Sequence, residues 1–221
     1  EYSSRVILEQ YIRGNDYRLL IINNKFIAAA RRFPAHVTGD GKSTIHELIK
    51  EVNKDPRRGF GHEKILTEIK VDGMTRRLLE QEGYSPDTVL PEGQVFYLKT
   101  TANLSTGGTS EDVTNTVHST NIFIAERASK FIDLDICGID VIAPNLTEPI
   151  NENGGAIIEV NGAPGFRMHL SPTKGSPRNV AKPVLDMLFP TGNTGRIPII
   201  SVTGTNGKTT TTRLISHIMK M

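Results

Sequence analysis

The sequence predicts an α+β fold, an antiparallel sheet covered by helices, followed by a strand–loop–helix segment that begins a second, α/β domain. Three observations support this prediction. Short apolar runs within residues 5–31 are separated by turns containing Gly and Asn, as in an antiparallel meander. Residues 136–161 contain two alternating runs around a loop rich in Asn, Pro and Gly, which predicts a β-hairpin. A glycine loop at residues 203–207 follows an apolar run and precedes a helical pattern.

The composition is that of an ordinary globular protein. Of 221 residues, 37% are hydrophobic and 23% are charged, and the net charge of +2 is dispersed, so neither nucleic acid nor a membrane is an expected partner. A mild excess of basic residues suits small anionic substrates. The single cysteine, Cys137, excludes an internal disulfide framework. Residues 1–9 lack the features of a signal peptide, so we expect a cytoplasmic protein.

Periodicity and turn chemistry predict the remaining elements. Thr44 and Glu47 are spaced to form a capping box at the start of an amphipathic helix. A broad apolar stripe in residues 116–134 predicts a helix that packs against the hairpin. Strict alternation places Ile158 on the apolar face of the second hairpin strand. The predicted strands are residues 5–12, 16–23, 25–31, 94–99, 136–142, 156–161 and 197–202, and the predicted helices begin at residue 45 or span residues 74–82, 116–134 and 179–188.

The hairpin carries three side chains that could hold a metal ion. Asp140 falls opposite Glu159 if the strands pair around their loop, and Asn161 lies two residues further along the same face. Two ionised carboxylates this close repel each other unless a cation separates them, and Mg²⁺ prefers such oxygen ligands together with phosphate oxygens. The pattern therefore favours Mg²⁺ held against a nucleotide. The alternative is that these side chains form the solvent-facing side of an ordinary hairpin.

The same residues resemble the magnesium-binding strands of ATP-grasp ligases. The resemblance includes the Asp and the Glu-x-Asn of the hairpin and the Pro-Gly-Phe at residues 164–166. It implies that Asp140, Glu159 and Asn161 hold Mg²⁺ ions on the phosphates of ATP. It also implies that the turn after the second strand forms part of the acceptor pocket. The implied substrate contacts in this turn are Gly162, Pro164 and Gly165.

An earlier segment resembles the part of ATP-grasp ligases that contacts adenine and ribose. The resemblance implies nucleotide contacts at Glu9, Ile12 and Asp16. Without the hairpin, the two acidic residues would be ordinary polar positions on a half-exposed sheet.

The chain departs from the ATP-grasp pattern at one position. Many of these ligases have an arginine two residues before the metal-binding Asp, where this chain has Gly138. Arg31 and Arg32 are therefore the candidate catalytic residues that stabilise the transferred phosphoryl group.

Two further loops have specific counterparts. The Gly-Asp-Gly-Lys at residues 39–42 could bind phosphate or could simply form a turn. Its surroundings resemble a loop shared by cyanophycin synthetases and the ATP-grasp module of bifunctional glutathione synthetases. The Asn-Leu-Ser-Thr-Gly-Gly loop resembles a loop of the same family and implies contact with substrate. The implied contacts are Asn103, Ser105, Thr106 and Gly107.

Residues 190–196 have linker composition and predict a domain boundary. The following strand, glycine loop and helix at residues 197–221 fit a phosphate cradle, because N–H groups of the loop and helix start bind anionic oxygens. Lys208 would neutralise the β- and γ-phosphates, and the Thr209 hydroxyl can reach Mg²⁺. The spacing differs from the general P-loop and resembles that of Mur-type amide ligases. The implied ATP contacts are Gly204, Thr205, Asn206, Gly207, Lys208, Thr209 and Thr210.

An ATP-grasp segment at residues 1–189 joined by a linker to a Mur-like loop resembles the family of cyanophycin synthetases over nearly the whole chain. The resemblance implies an ATP-dependent ligase that makes cyanophycin, multi-L-arginyl-poly-L-aspartate, through acyl phosphates. Its ATP-grasp part would add Asp to a poly-aspartate primer, and its Mur-like part would add Arg to the Asp side chains.

The complete enzyme is expected to be a homo-oligomer. The chain begins without Met and ends inside a predicted helix, so we expect a fragment that does not catalyse ligation alone. The alternatives are a glutathione-synthetase-like ATP-grasp ligase and a non-catalytic nucleotide-binding module.

Overall fold

The computed structural model describes residues 7–61, 63–193 and 195–221. It consists of two compact units, one ending at Met187 and the other comprising Leu188–Met221. The predicted first strand, residues 5–12, lies partly outside the described residues. Its described part, residues 7–12, forms no strand, so the predicted meander contains two strands instead of three.

Strands and helices alternate irregularly along the chain. The strands of the described residues are β1 (Asn15–Ile22), β2 (Lys25–Phe33), β3 (His36–Thr38), β4 (Arg58–Gly59), β5 (Leu66–Thr67), β6 (Val95–Tyr97), β7 (Thr109–Asp112), β8 (Ile136–Ala143) and β9 (Ala156–Asn161). The α-helices are α1 (Ile45–Asn53), α2 (Gly73–Gln81), α3 (Ser119–Ile132), α4 (Arg167–Leu170), α5 (Ala181–Leu188) and α6 (Lys208–Ile218). In this part of the chain no helix combines the length and apolarity needed to span a membrane.

A five-stranded antiparallel sheet with the order β7-β2-β1-β8-β9 forms the centre of the first unit. This confirms the predicted antiparallel sheet with helices. The turn between β1 and β2 places Asn23 and Asn24 at φ values of 50° and 58°. A tight hairpin turn needs two residues in this left-handed region, and Asn tolerates it better than most side chains.

Helices cover both faces of the central sheet. On one face, α3 packs through Ala125 against Leu19, Ile139 and other apolar residues of β1 and β8, which confirms the predicted contact between this helix and the hairpin. On the other face, Leu20 and neighbouring side chains pack against the α5 region. The charged side chains of Arg18, Arg32 and Asp140 lie on this second face, beyond its apolar part.

Residues 34–108 form a smaller substructure inserted between the adjacent strands β2 and β7. Its core joins α1, α2 and the β3–β6 pair, and it includes Ile45, Leu79 and Phe96. The predicted capping box at the start of α1 is confirmed, since the Thr44 hydroxyl accepts from the Glu47 N–H and the Glu47 carboxylate accepts from the Thr44 N–H.

The β8–β9 hairpin pairs as predicted, with Asp140 opposite Glu159, but it contains a β-bulge. The register shift places Ile157 opposite Val141. The predicted burial of Ile158 is therefore wrong, since this side chain is 56% exposed while Ile157 packs on the core under α3. One extra residue reverses which side chains face the core, and strict alternation does not anticipate it.

The second unit contains α6 directly after the glycine loop. The predicted strand at residues 197–202 is not formed. A strand needs a neighbouring strand for its backbone hydrogen bonds, and the described residues of this unit contain no other strand. The strand of the predicted strand–loop–helix is thus corrected to irregular structure, and the loop and helix remain.

Shortening a buried side chain of the β8–β9 hairpin should destabilise the protein more than shortening an exposed one. Ile139 is fully buried, so Ile139→Ala should lower the free energy of unfolding by about 2–5 kcal/mol. Ile158→Ala is the matched control and should change it by about 0.5 kcal/mol or less. Urea denaturation followed by circular dichroism measures both. Similar large losses in the two variants would contradict the bulged register.

Candidate active site

One row of residues runs across all five strands of the central sheet. The register pairs Asp112 of β7 with Ala30 of β2, and Ala30 with Arg18 of β1. Arg18 is paired with Asp140 of β8, which is paired with Glu159 of β9. Directly paired residues project from the same face of a sheet, so four ionisable side chains share one face here.

The Asp140 carboxylate lies at the centre of this row. Arg18 donates from Nε to Oδ1, and from Nη2 to Oδ2 at 3.0 Å. Arg32 Nη2 lies 3.1 Å from Oδ2, and Asn161 Nδ2 donates to the same oxygen at 3.4 Å. The side chain of Asp140 is only 15% exposed, so these donors compensate a carboxylate that is largely removed from water.

The charge network continues from Arg32 to Asp16. Arg32 Nε donates to Asp16 Oδ1 at 2.7 Å, so the guanidinium bridges two carboxylates. Burial raises the pKa of Asp16 even though the Arg32 guanidinium opposes this change. Asp16, predicted as a nucleotide contact, therefore lies beside the predicted catalytic Arg32.

Arg31, the other candidate catalytic residue, lies outside this network. Its Nη2 donates to Asn15 Oδ1 at 2.6 Å, and its guanidinium carbon lies 4.6 Å from the centroid of the Phe33 ring. Consecutive residues of a strand point to opposite faces, so Arg32 contacts Asp140 and its neighbour does not.

Arg18 is a candidate functional residue that the sequence analysis missed. It fills the space beside Gly138, since a Cβ at position 138 would lie 2.8 Å from both Arg18 Cδ and Pro164 Cβ. Gly138 occupies the position where many ATP-grasp ligases carry an arginine. Because it has no side chain, it leaves room for Arg18 from the neighbouring strand. The available indication was a charged residue directly before the apolar run Leu19–Ile22, but its partner is 122 residues away in sequence.

The predicted metal ligands form a plausible donor set for Mg²⁺. Asp140 and Glu159 are cross-strand partners, and the Asn161 side chain contacts the Asp140 carboxylate. Two carboxylates and an amide oxygen are hard ligands that suit this ion. Within the described residues, no group of three or more His, Cys, Asp or Glu side chains is arranged to hold a metal ion. Mg²⁺ usually takes few ligands from protein, and phosphate and water would complete its coordination here.

A cavity of about 810 Å³ lies between the ends of β1 and β2 and the inserted substructure. Ile12 and Asp16 line it, whereas Glu9, the third predicted nucleotide contact of this segment, is exposed and outside its wall. The cavity adjoins the Asp140 network, because Arg32 belongs to both. Other lining residues are Tyr11, Arg31, Phe33, Tyr84, Phe96, Tyr97 and Lys99.

The predicted substrate loop is held against the sheet. Its buried Leu104 packs on Ala30 and Met168, while Ser105 is exposed. Gly107 has a φ of 96°, which favours glycine, and its carbonyl accepts from Arg58 Nη1 at 3.1 Å. The other predicted contacts in the loop, Asn103 and Thr106, are exposed and partly buried, respectively.

The turn between β9 and α4 carries the remaining predicted substrate contacts. Pro164 lies against the Gly138 position, close to Arg18, while Gly162 and Gly165 are exposed. The turn therefore borders the Asp140 network.

The glycine loop of the second unit leads directly into α6. Gly207 has a φ of 76° at the N-terminus of this helix, and Gly204 has a φ of 142°. Lys208 Nζ donates to the carbonyl oxygens of Gly204 at 2.6 Å and Thr205 at 3.2 Å, so the side chain folds back over the loop. The other predicted contacts, Asn206, Thr209 and Thr210, are exposed on the loop and the first turn of α6.

His169 is a buried titratable group that the sequence analysis did not identify. It lies in α4, is 2% exposed, and its Nε2 atom has no hydrogen-bond partner among the described residues. Burial lowers the pKa of His169 to about 4, with further lowering by the positive charge of Arg18, and Asp112 opposes the change. The imidazole is therefore neutral near pH 7.

The fold is similar to that of an ATP-grasp enzyme of known structure. A bifunctional glutathione synthetase from Pasteurella multocida superposes with a TM-score of 0.68 and 32% identity, covering 81% of this chain and 24% of that one. No family model matches the chain.

Sequence relatives give the more specific resemblance. Cyanophycin synthetases of Geminocystis herdmanii and Synechocystis sp. are 57% and 56% identical over 97% and 99% of this chain, which confirms the predicted resemblance to cyanophycin synthetases. A glutathione biosynthesis bifunctional protein of Listeria monocytogenes is 39% identical over 85% of the chain. The chain spans about a quarter of the length of these relatives.

The pKa of His169 predicts a pH-dependent stability. Its ordinary value is 6.5 and its folded value is about 4, so the unfolded chain binds more protons between these pH values. The free energy of unfolding should therefore fall by about 3 kcal/mol as the pH drops from 7 to below 4, in addition to the effects of other groups.

His169→Phe removes this titrating group and should flatten the pH dependence between pH 6.5 and 4.5. All five tyrosines precede Met187 and the chain has no Trp, so tyrosine fluorescence during urea denaturation reports on the first unit. The same slope in both proteins would contradict the low pKa.

Proposed function

We propose that this chain is part of an ATP-dependent ligase that joins a carboxylate to an amine. The observation that carries the proposal is the cross-strand row of Arg18, Asp140 and Glu159, together with the ion pair of Arg32 with Asp140. This arrangement supports phosphoryl transfer, in which catalysis depends mainly on positioning and on neutralising phosphate charge. The similarity to cyanophycin synthetases supports ligation as the overall reaction.

The reaction proceeds in two steps. An oxygen of the acceptor carboxylate attacks the γ-phosphorus of ATP, which breaks the bond to ADP and gives an acyl phosphate. The amine of the incoming amino acid then attacks the acyl carbon, releases phosphate and loses a proton. Asp140, Glu159 and Asn161 would hold Mg²⁺, which supplies charge neutralisation at the phosphates.

Arg18 and Arg32 are the side chains best placed to stabilise the transferred group. Their guanidinium groups are fixed on Asp140, and each guanidinium presents a planar set of N–H donors that matches phosphate oxygens. Arg32 also borders the cavity, where Ile12 and Asp16 would contact the nucleotide. We thus assign phosphoryl stabilisation to Arg18 and Arg32 ahead of Arg31.

We propose that the ATP-grasp part, residues 1–189, adds Asp to a poly-aspartate primer. Ser105 of the loop packed beside the row, and the turn containing Pro164, are the proposed substrate contacts. The remaining proposed contacts in these two segments are Asn103, Thr106, Gly107, Gly162 and Gly165.

Residues 190–196 would connect this part to the start of a Mur-like domain, residues 197–221, that adds Arg to the Asp side chains. The Gly204–Thr210 loop and the start of α6 would bind the phosphates of a second ATP. We propose that the complete enzyme acts in the cytoplasm as a homo-oligomer.

Two other functions fit less well. A glutathione-synthetase-like ligase would account for the structural neighbour, but the relatives with that name match about 85% of the chain, compared with 97–100% for cyanophycin synthetases. A non-catalytic nucleotide-binding module would have no need of the acidic pair formed by Asp140 and Glu159.

Removal of one acidic ligand tests the proposed ligase chemistry. In a full-length protein carrying this chain, Glu159→Gln should reduce ATP-dependent Asp addition by about 10³-fold or more, since a metal clamp contributes several kcal/mol of transition-state stabilisation. Radiolabelled Asp incorporation on a primer measures the effect. Glu152→Gln, in the exposed hairpin loop, is the matched control and should retain activity. Near-normal activity of the first variant at saturating Mg²⁺ would place Glu159 on an ordinary solvent-facing strand.

Changing the second phosphate loop tests the proposed division of labour. Lys208→Ala removes the cation expected at the β- and γ-phosphates and leaves Asp140 and Glu159 unchanged. Arg addition should be lost while Asp addition persists, when each is assayed on a primer carrying the required acceptor. Lys220→Ala, beyond the end of α6, is the control. Equal loss of both reactions in a folded protein would argue for one common active site.

A further inference from the structure

His169 is the buried polar group that the proposed reaction leaves without a role. It is 2% exposed, and in the described part of the chain Nε2 has no hydrogen-bond partner. A buried ring nitrogen without a partner destabilises a fold, and an apolar side chain of similar size would avoid this penalty. Local packing therefore does not explain why an imidazole occupies this position.

The position of His169 relates it to the charged row. The α4 helix packs on β2 and β7, and Met168 contacts Ala30, the residue that separates Arg18 from Asp112 in the row. Arg18, Asp112 and Arg32 are the charged groups that act on the imidazole. The charges of both arginines that share Asp140 thus act on the buried imidazole.

The surrounding ion pairs restrict what His169 can do. Asp112 is already paired with Arg178, whose Nη2 lies 2.7 Å from Oδ2, and it also accepts from the Thr114 hydroxyl. Arg18 donates to Asp140 from Nε and Nη2, and among the described residues its Nη1 atom makes no hydrogen bond. A neutral ring nitrogen is an acceptor that can bind a guanidinium N–H without adding a charge.

Other side chains would disturb the same network. A carboxylate in place of the imidazole would compete with Asp140 for the arginines. A lysine or arginine would repel them. A neutral acceptor alone keeps two cations oriented while their carboxylate partner is engaged elsewhere.

We propose that His169 is a positioning residue that offers a neutral hydrogen-bond acceptor to Arg18 when Asp140 is engaged elsewhere, and so orients the Arg18–Arg32 pair toward the transferred phosphoryl group. The proposal rests on the proposed function of the row. Arg18 and Arg32 would touch the phosphoryl group, and His169 acts through them.

The test uses a full-length protein carrying this chain and three variants. His169→Phe keeps an aromatic ring and removes both ring nitrogens, and His169→Gln restores a neutral acceptor. Met168→Leu is the matched control, because Met168 is buried on the same short helix and its substitution leaves the imidazole in place. His169→Met serves if the Phe variant does not fold.

His169→Phe should lower kcat for Asp addition by about 10- to 100-fold, since small misplacements of catalytic groups have effects of this size, while KM for ATP should stay within about threefold. The Gln variant should recover most of the activity. In binding measurements with Mg²⁺, affinity for ADP with aluminium fluoride should fall by about tenfold in the Phe variant, with little change for ADP alone.

The outcomes separate this proposal from the proposed function. Wild-type kinetics and aluminium fluoride affinity in a folded Phe variant would overturn the positioning role and leave the ligase intact. Equal loss in the Phe and Gln variants would also overturn it, since it would indicate a requirement for ring shape. Absence of Asp addition in the unmodified protein would instead overturn the proposed function.

Discussion

The sharing of one carboxylate, Asp140, by two arginines from neighbouring strands is the interaction on which the candidate site depends. A largely buried carboxylate is costly unless it is paired and hydrogen-bonded, and here Arg18 and Arg32 meet that requirement. These two ion pairs can form only in the observed register of β1, β2 and β8. A shift by one residue would turn the charged side chains into the core under α3 and bring apolar ones to the site.

Small residues make room for this network. Gly138 leaves space for the Arg18 side chain and for Pro164, so the turn after β9 can approach the sheet. Ala30 allows Leu104 of the inserted substructure and Met168 of α4 to pack over the same row. Segments that are far apart in sequence thereby converge on one face, where the proposed metal ligands, the proposed substrate loop and the cavity lie near one another.

Part of the fold and of the candidate site could be predicted from local sequence patterns. The alternation and loop of the hairpin gave the pairing of Asp140 with Glu159, and Thr44 with Glu47 identified the start of α1. Arg18 could not be found in this way, because its role depends on the pairing of β1 with a strand more than a hundred residues later. Ile158 was misassigned because a bulge has no simple sequence pattern.

The second unit shows where prediction from local sequence patterns fails. The apolar run at residues 197–202 has strand composition, but strands form by pairing, and the described residues of this unit supply no neighbour. The helix after the glycine loop forms because its hydrogen bonds are internal. Elements that depend on local bonds are thus predicted more reliably than elements that depend on distant partners.

The central claim is that Asp140 and Glu159, which are paired across β8 and β9, hold the metal at which phosphoryl transfer occurs. Anomalous diffraction from crystals of a full-length protein carrying this chain, grown with Mn²⁺ and a non-hydrolysable ATP analogue, tests it directly. The account predicts a Mn²⁺ peak bonded to both Asp140 and Glu159, with Arg18 and Arg32 directed at the terminal phosphate. A nucleotide whose metal lies elsewhere, with Asp140 still bound by both arginines, would contradict it.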